Sequence, residues 1–284
     1  MHLGTIRHNG TTKVVRVERE RGEAVLLDAS DVGQLLSDGL LDTRGGHVPV
    51  DGLVEEVIDL DGVDWGPVIA EPNKIICVGL NYRDHVEEMG RELPDAPTYF
   101  SKFSGALIGA NDLIHLPDPA LSTHNDWEAE LAIVIGATAR NVSQADALEH
   151  IAGFTVFNDF SVRDYQRRTS QFLAGKTFEH ASGLGPVMVT PDEIGDGSGL
   201  AISSRVNGEI KQQSNTDQLI FGPAELVSDL SQIITLVPGD VIATGTPGGV
   251  GAARTPPEWL VDGDELVVTI DGIGSLRHRC VVAN

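Results

Sequence analysis

Glu128 and Glu130 stand just ahead of the continuous apolar run that ends Asn125-Asp126-Trp127-Glu128-Ala129-Glu130-Leu131-Ala132-Ile133-Val134-Ile135-Gly136. A run of that kind forms a buried strand. Side chains alternate between the faces of a strand, so the two glutamates project the same way, with Cα atoms roughly 6.5–7 Å apart. Two like charges at the mouth of a buried strand repel each other and lose hydration. A hard divalent cation with oxygen ligands would compensate them; a solvated strand end with two exposed glutamates is the other reading. Asp159 follows the strand-like Gly153-Phe154-Thr155-Val156-Phe157-Asn158 and adds a third carboxylate at a strand end. An all-oxygen set suits magnesium, manganese or calcium and disfavours zinc. Three protein ligands would leave positions for water and substrate. Spacing alone does not bring Asp159 to the two glutamates.

Other residues could work beside such a centre. His85 and Glu88 lie three apart, neighbours on a helical turn, and could be a general base and its orienter, or an exposed polar turn. Lys176, in Ala174-Gly175-Lys176-Thr177-Phe178, is either a buried functional cation or an ordinary loop residue. Arg163 and Gln166 could clamp an anionic substrate, unless Arg163 pairs with Asp164 or Glu179. His115, His124, His150 and His180 lack ligand spacing and read as makers of structural hydrogen bonds, with His124 nearest the glutamates. The glycine-rich stretch at residues 245–251 lacks the Gly-Lys-Ser/Thr ending of a phosphate loop, and no helix pattern follows it. No Gly-x-Ser-x-Gly elbow supports a serine hydrolase.

The elements that must position these groups read mostly as β. Residues 12–18 and 23–28 pair across a turn, and residues 31–36 suggest a short helix. Residues 1–68 look like a small β-rich N-terminal domain, with a boundary near Trp65-Gly66-Pro67, and residues 69–284 carry the chemistry. Strands are expected at 74–80, 99–103, 153–158, 241–244, 265–270 and 275–282. Residues 91–97 suggest a mobile lid, residues 143–151 a helix, and residues 171–176 a loop. Asn207-Gly208 signals a hairpin between 201–206 and 209–212, and Gly222-Pro223 opens a helix through Ile234.

Composition bounds the rest. A chain of 284 residues is long enough for one large domain with a small partner. The net charge of −22, from 42 acidic and 20 basic residues, argues against nucleic acid and anionic membranes as partners. It leaves anionic small substrates open, because a local metal ion reverses the field inside a cleft. No run of roughly 18 apolar residues suggests a membrane span, and no secretory leader is visible, so a cytoplasmic location is expected. Cys77 and Cys280 read as small buried hydrophobes in a reducing compartment.

Five ordered strings together give a resemblance. They are Val78-Gly79-Leu80-Asn81-Tyr82-Arg83-Asp84-His85, Trp127-Glu128-Ala129-Glu130-Leu131-Ala132, Asn158-Asp159-Phe160-Ser161-Val162-Arg163-Asp164-Tyr165-Gln166, Gly175-Lys176-Thr177-Phe178 and Thr244-Gly245-Thr246-Pro247-Gly248-Gly249-Val250-Gly251. Over about residues 72–282 the chain resembles the fumarylacetoacetate hydrolase family. The resemblance implies an α+β, mostly β fold: a mixed β-roll with a short β-rich N-terminal domain, usually a homodimer using Mg2+ or Mn2+, with Ca2+ able to replace them in a crystal. It assigns Glu128, Glu130 and Asp159 to the metal, His85 with Glu88 and Lys176 to catalysis, and Arg163, Gln166 and Thr246 to substrate. One string departs from the family's usual Val/Ile-Ser-Ala-Arg, reading Phe160-Ser161-Val162-Arg163, an apolar change expected to affect packing only. The implied activity is metal-dependent hydrolysis of a C–C bond in a β-diketo acid of the acylpyruvate or fumarylpyruvate type, giving pyruvate and a carboxylic acid. In it His85, oriented by Glu88, activates water, and Lys176 stabilises the oxyanion or departing enolate. Oxaloacetate decarboxylation and 2-hydroxyhepta-2,4-diene-1,7-dioate isomerisation use the same metal–enolate logic and stand as alternatives. A non-enzymatic metal-binding scaffold would instead predict an eroded site.

Overall fold

A computed structural model describes residues 1–41, 54–88, 90 and 92–282. The chain begins with β1 (His2–His8), β2 (Thr11–Glu18), β3 (Glu23–Leu27), α1 (Val32–Ser37) and β4 (Val54–Asp59). Next come β5 (Ile75–Gly79), α2 (Arg83–Glu88), β6 (Thr98–Lys102), β7 (Leu107–Ile108), β8 (Ile114–Leu116) and β9 (Asn125–Asp126). The middle holds β10 (Ala129–Ile135), β11 (Ile151–Asn158), β12 (Ser161–Val162), α3 (Arg163–Gln166), α4 (Leu173–Lys176), β13 (Ser182–Val189) and α5 (Pro191–Ile194). It ends with β14 (Ala201–Val206), β15 (Glu209–Asn215), α6 (Pro223–Ile233), β16 (Val241–Ala243), β17 (Glu265–Ile270) and β18 (Gly274–Val282). The fold is mostly β with few and short helices, as expected.

Among the described residues one large sheet runs β4-β3-β2-β1-β13-β11-β10-β16-β5-β6, with β7 beside β13, and a second runs β15-β14-β17-β18-β8. The large sheet wraps round. Lys102 at the end of β6 reaches Ser182 at the start of β13, and β7, a few residues on, pairs with β13. β10 lies in the middle and is buried along its whole length. Its odd-numbered residues, Leu131, Ile133 and Ile135, pack in a core shared with Leu266, Val268 and Leu276 of the second sheet. Its even-numbered Ala132 and Val134 pack on the other side with Phe157, Met188 and Leu35. Burial on both faces is why the strand reads as a continuous apolar run.

The N-terminal strands are hydrogen-bonded into this sheet: Leu3 of β1 pairs with Met188 of β13. The sequence reading assigned no strand to residues 2–8, although they carry that junction. Two further local expectations change. Residues 143–151 form only a 3-10 turn at Ala147–His150, and Ile151 opens β11 opposite Ile135. Ser143 and Asp146 bond each other's side chains and backbone, which favours a turn over a helix start. Within residues 171–176, expected as loop, Leu173–Lys176 make one helical turn. Gly175 permits it: a Cβ there would stand 2.3 Å from the Gln166 backbone nitrogen, so only glycine lets α4 lie on α3. Of the expected lid, Arg91 lies outside the described residues, and residues 92–97 are irregular and do not line the cavity described below.

Candidate active site

Strand register answers what spacing could not. Ala129 pairs with Asn158 and Glu130 with Phe157, and the Asp159 N–H donates to the Glu128 carbonyl at 3.0 Å. Asp159 is thereby set beside the two glutamates. One carboxylate oxygen from each of Glu128, Glu130 and Asp159 lies within 4.8 Å of the others, and all three residues are buried. The same-face argument for Glu128 and Glu130 holds in three dimensions.

Cations surround this cluster. The Lys176 ammonium donates to Glu128 Oε2 and Asp159 Oδ2, both at 2.7 Å. Lys102 stands 2.8 Å from Asp159 Oδ1 and donates to Ser182 Oγ and the Phe160 carbonyl. Arg163 pairs through Nη1 with Glu128 Oε1 at 2.7 Å and through Nε with Asp126 Oδ2 at 2.7 Å, rather than with Asp164 or Glu179. Its Nη1 also donates to Gln166 Oε1 at 2.9 Å. Its Nη2 is buried with no hydrogen-bond partner among the described residues.

The electrostatic consequences differ by residue. Burial alone would raise the Glu128 pKa, but Lys176 and Arg163 outweigh it and draw the carboxyl down to about 2. Glu130 has no such cation in contact. Burial, then Asp159 and Glu128, push it well above the usual carboxylate range, opposed by Lys176 and by the Gly245 N–H that donates to its Oε2 at 2.9 Å. Burial would lower the Lys176 pKa, yet Asp159 and Glu128 lift it above the ordinary lysine range, so it remains a cation at neutral pH.

The donor set fits a divalent ion. It is all oxygen, and each carboxylate oxygen has a second lone-pair site beyond its protein partner. Four carboxylates, Asp126 included, face three cations, leaving one negative charge uncompensated. A divalent ion would turn that to a single positive charge, suited to an anionic substrate.

Glu128, Arg163, Gln166, Lys176 and Thr246 line a cavity of about 570 Å3, with Glu88 on another wall and Phe100 and Phe172 beside them. Thr246 is anchored, donating to the Ala129 carbonyl at 2.9 Å and accepting from Gln212 at 2.8 Å. The glycine-rich loop holds carboxylates rather than phosphate. Gly245 donates to Glu130, Gly249 to Glu88 Oε2 at 3.2 Å and Gly251 to Asp126 at 2.7 Å. The α2 turn thus carries Glu88 to the cavity; the His85 backbone lies in that helix, but its side chain lies outside the described residues. His124 is exposed, stacks on Trp259 and stands 3.8 Å from Asp164, away from the carboxylates. His115 and His180 pack edge to face, and His150 Nδ1 is buried without the structural hydrogen bond expected of it.

Asp126 and Lys102 were missed by sequence reasoning. Asp126 accepts from Trp127, Gly251, Ala252 and Arg163, tying the cavity wall to the arginine. Lys102 shares a strand face with Phe100, which lines the cavity, and alternates with exposed Ser101 and Phe103.

A model of the fumarylacetoacetate (FAA) hydrolase C-terminal family matches residues 74–281. The chain belongs to this family. The chain is similar to an oxaloacetate tautomerase FAHD2A, mitochondrial, of Bos taurus, 46% identical over 215 residues, which are 75% of this chain and 68% of that protein. Among solved structures, the fold superposes on a fumarylacetoacetate hydrolase from psychrophilic Exiguobacterium antarcticum with a TM-score of 0.88 and 31% identity, covering 100% of both chains. It also matches a 2-hydroxyhepta-2,4-diene-1,7-dioate isomerase from Mycobacterium marinum, TM-score 0.78 and 30% identity, over 100% of this chain and 99% of that one. The family string's apolar departure is a packing matter, as expected: Phe160 and Val162 are both buried in the core.

Proposed function

We propose that this chain is an enolising enzyme for small 2-oxo acids, catalysing keto–enol tautomerisation of a substrate of the oxaloacetate class. The observation that carries the reading is the buried Glu128–Glu130–Asp159 cluster, bridged by Lys176 and reaching through Glu128 and Lys176 a cavity that Glu88 also lines. The names of the tautomerase relative and the isomerase neighbour favour this enolising alternative over acylpyruvate hydrolysis.

Glu128, Glu130 and Asp159 would hold Mg2+ or Mn2+. That ion would polarise the 2-oxo group as a Lewis acid. Lys176, cationic throughout the neutral range, supplies fixed positive charge beside the oxygen that gains negative charge as the enolate forms. Arg163 offers its unpartnered Nη2 to the neighbouring carboxylate, while Gln166 and Thr246 complete that end of the pocket. Glu88, held by the Gly249 N–H, takes the C3 proton and returns it to oxygen, with His85 on the same helical turn as its relay. Tautomerisation needs only that proton shuttle, whereas hydrolysis also needs a water aimed at a carbonyl.

The test mixes the purified protein and Mg2+ or Mn2+ with enol-oxaloacetate, following enol absorbance and pyruvate separately. Faster loss of enol with no pyruvate beyond the blank is expected. Release of pyruvate from an acylpyruvate, with no acceleration of the enol signal, would sink the reading in favour of hydrolysis. Pyruvate from oxaloacetate at the rate of enol loss would instead make it a decarboxylase. The reading also takes the chain to be a cytoplasmic homodimer without nucleic-acid or membrane partners. No helix among the described residues is long and apolar enough to cross a membrane. Sedimentation checks the dimer, and location is open to fractionation, because the Bos taurus relative is named mitochondrial.

A further inference from the structure

Arg163 and Arg167 stand one helical turn apart. The Arg167 N–H donates to the Arg163 carbonyl at 3.1 Å, so the two side chains leave neighbouring points of one face. Both line the cavity. They are used differently. Arg163 is buried and bound to Asp126 and Glu128. Arg167 is exposed at the mouth, and among the described residues no ion pair or hydrogen bond involves its side chain. The next residue, Arg168, turns elsewhere: its guanidinium lies 3.3 Å from the centre of the Tyr165 ring and lines a separate groove with Phe178. Apart from these arginines, the charged residues lining the cavity are Lys176, Glu128 and Glu88. Much of the remaining wall is apolar, from Phe100, Phe172, Val250 and Ala252. The cavity therefore has a charged floor, an apolar waist and one uncommitted cation at its mouth.

Resting on the enolisation reading, we propose that Arg167 receives the far carboxylate of a four-carbon 2-oxo dicarboxylate and so selects dicarboxylates over 2-oxo acids with an apolar tail. One helical turn sets the two arginines about 6 Å apart along the axis. Three C–C bonds of about 1.5 Å put the far carboxylate carbon about 4 Å from the near one, and the flexible arginine fork spans the difference. A guanidinium meets a carboxylate with two parallel N–H bonds, and an apolar tail leaves those donors unanswered. Arg167 acts on binding and leaves the proton transfer to Glu88.

The experiment compares oxaloacetate with 2-oxobutanoate, which carries a methyl group where oxaloacetate has its far carboxylate. Wild type, Arg167→Ala, Arg167→Lys and Arg168→Ala are loaded with Mg2+. Binding is measured by calorimetry and C3 proton exchange in D2O by NMR. Arg167→Ala is expected to weaken oxaloacetate binding and raise its KM by about tenfold to a hundredfold with kcat little changed, leaving 2-oxobutanoate unaffected. Arg167→Lys should recover part of the loss, and Arg168→Ala should match wild type. Equal losses for both ligands, or none for oxaloacetate, overturn the assignment. Selective loss of oxaloacetate binding in a protein whose wild type exchanges no C3 proton supports Arg167 as the receptor while removing the enolisation reading.

Discussion

The floor of the cavity and its mouth are built on opposite terms. On the floor, Asp126, Glu128, Asp159, Lys102, Lys176 and Arg163 are buried, and each is bound to at least two others or to backbone. Glu128 and Asp159 take their places from β10–β11 register, which cannot slip without turning every side chain over, while Arg163 and Lys176 come from α3 and α4 and are locked by their ion pairs. At the mouth, Arg167, Thr169 and Glu88 are exposed, on or beside helices of four to six residues. Such short helices have little cooperativity of their own and follow whatever they pack on. The floor thus holds the fixed charge, and the rim holds Glu88, the proposed base, together with the group proposed to choose the substrate.

The contrast can be broken from the floor first. Glu130→Gln should lower activity by about a thousandfold or more and abolish the Mg2+-dependent rise in melting temperature. It should also raise the melting temperature of the metal-free protein at about pH 8 by a few degrees. A carboxyl whose pKa is raised by folding costs stability once ionised, from its unfolded pKa upward, and the amide escapes that cost. A metal-free variant that melts lower than wild type would show that the Glu130 charge is already compensated. Lys102→Met leaves the cavity lining intact but strips Asp159 of one cation; urea unfolding should show a loss of about 3–5 kcal/mol. A loss below about 1 kcal/mol, the worth of a surface pair, would mean the floor is wetter than its burial says.

Smaller effects sharpen the boundary between floor and mouth. Gly175→Ala drives a Cβ into the Gln166 backbone and should cost about 1–3 kcal/mol while displacing Lys176, read as lower kcat alongside a lower melting temperature. Unchanged kcat at reduced stability would separate Lys176 from the helix contact. The stabilisation by Mg2+ should grow with pH, because Glu130 must lose its proton before it can bind an ion; the slope is bounded near about 1.4 kcal/mol per pH unit per proton. A stabilisation that does not change with pH would place that proton elsewhere. Arg168→Ala, losing only its stack on Tyr165, should cost about 0.5–1 kcal/mol and leave turnover alone.

Much of the floor was legible because it obeys short-range rules. Alternation put Glu128 and Glu130 on one face, and Asn158-Asp159 at a strand end supplied the third carboxylate. Lys102 and Asp126 escaped for opposite reasons. Lys102 reaches Asp159 only because the sheet wraps, a long-range fact no local pattern carries. Asp126 was in view, but its partners, Arg163 and the amides of Gly251 and Ala252, come from distant segments. The short helix at Leu173–Lys176 was hidden by glycine, a poor helix former chosen here for contact. The strand at His2–His8, bonded through β13 to the main sheet, shows that a texture change along the sequence need not mark a break in hydrogen bonding.

Lys102 ends one edge strand, and it meets Ser182 at the start of β13 and Asp159 and Phe160 just beyond the end of β11. These contacts work as a clasp. A chain in which β6 has not come round to β13 has its three carboxylates and Lys176, but lacks the second cation on Asp159. Closure of the sheet and completion of the charge cluster are then one event: the contact that shuts the fold also finishes the site.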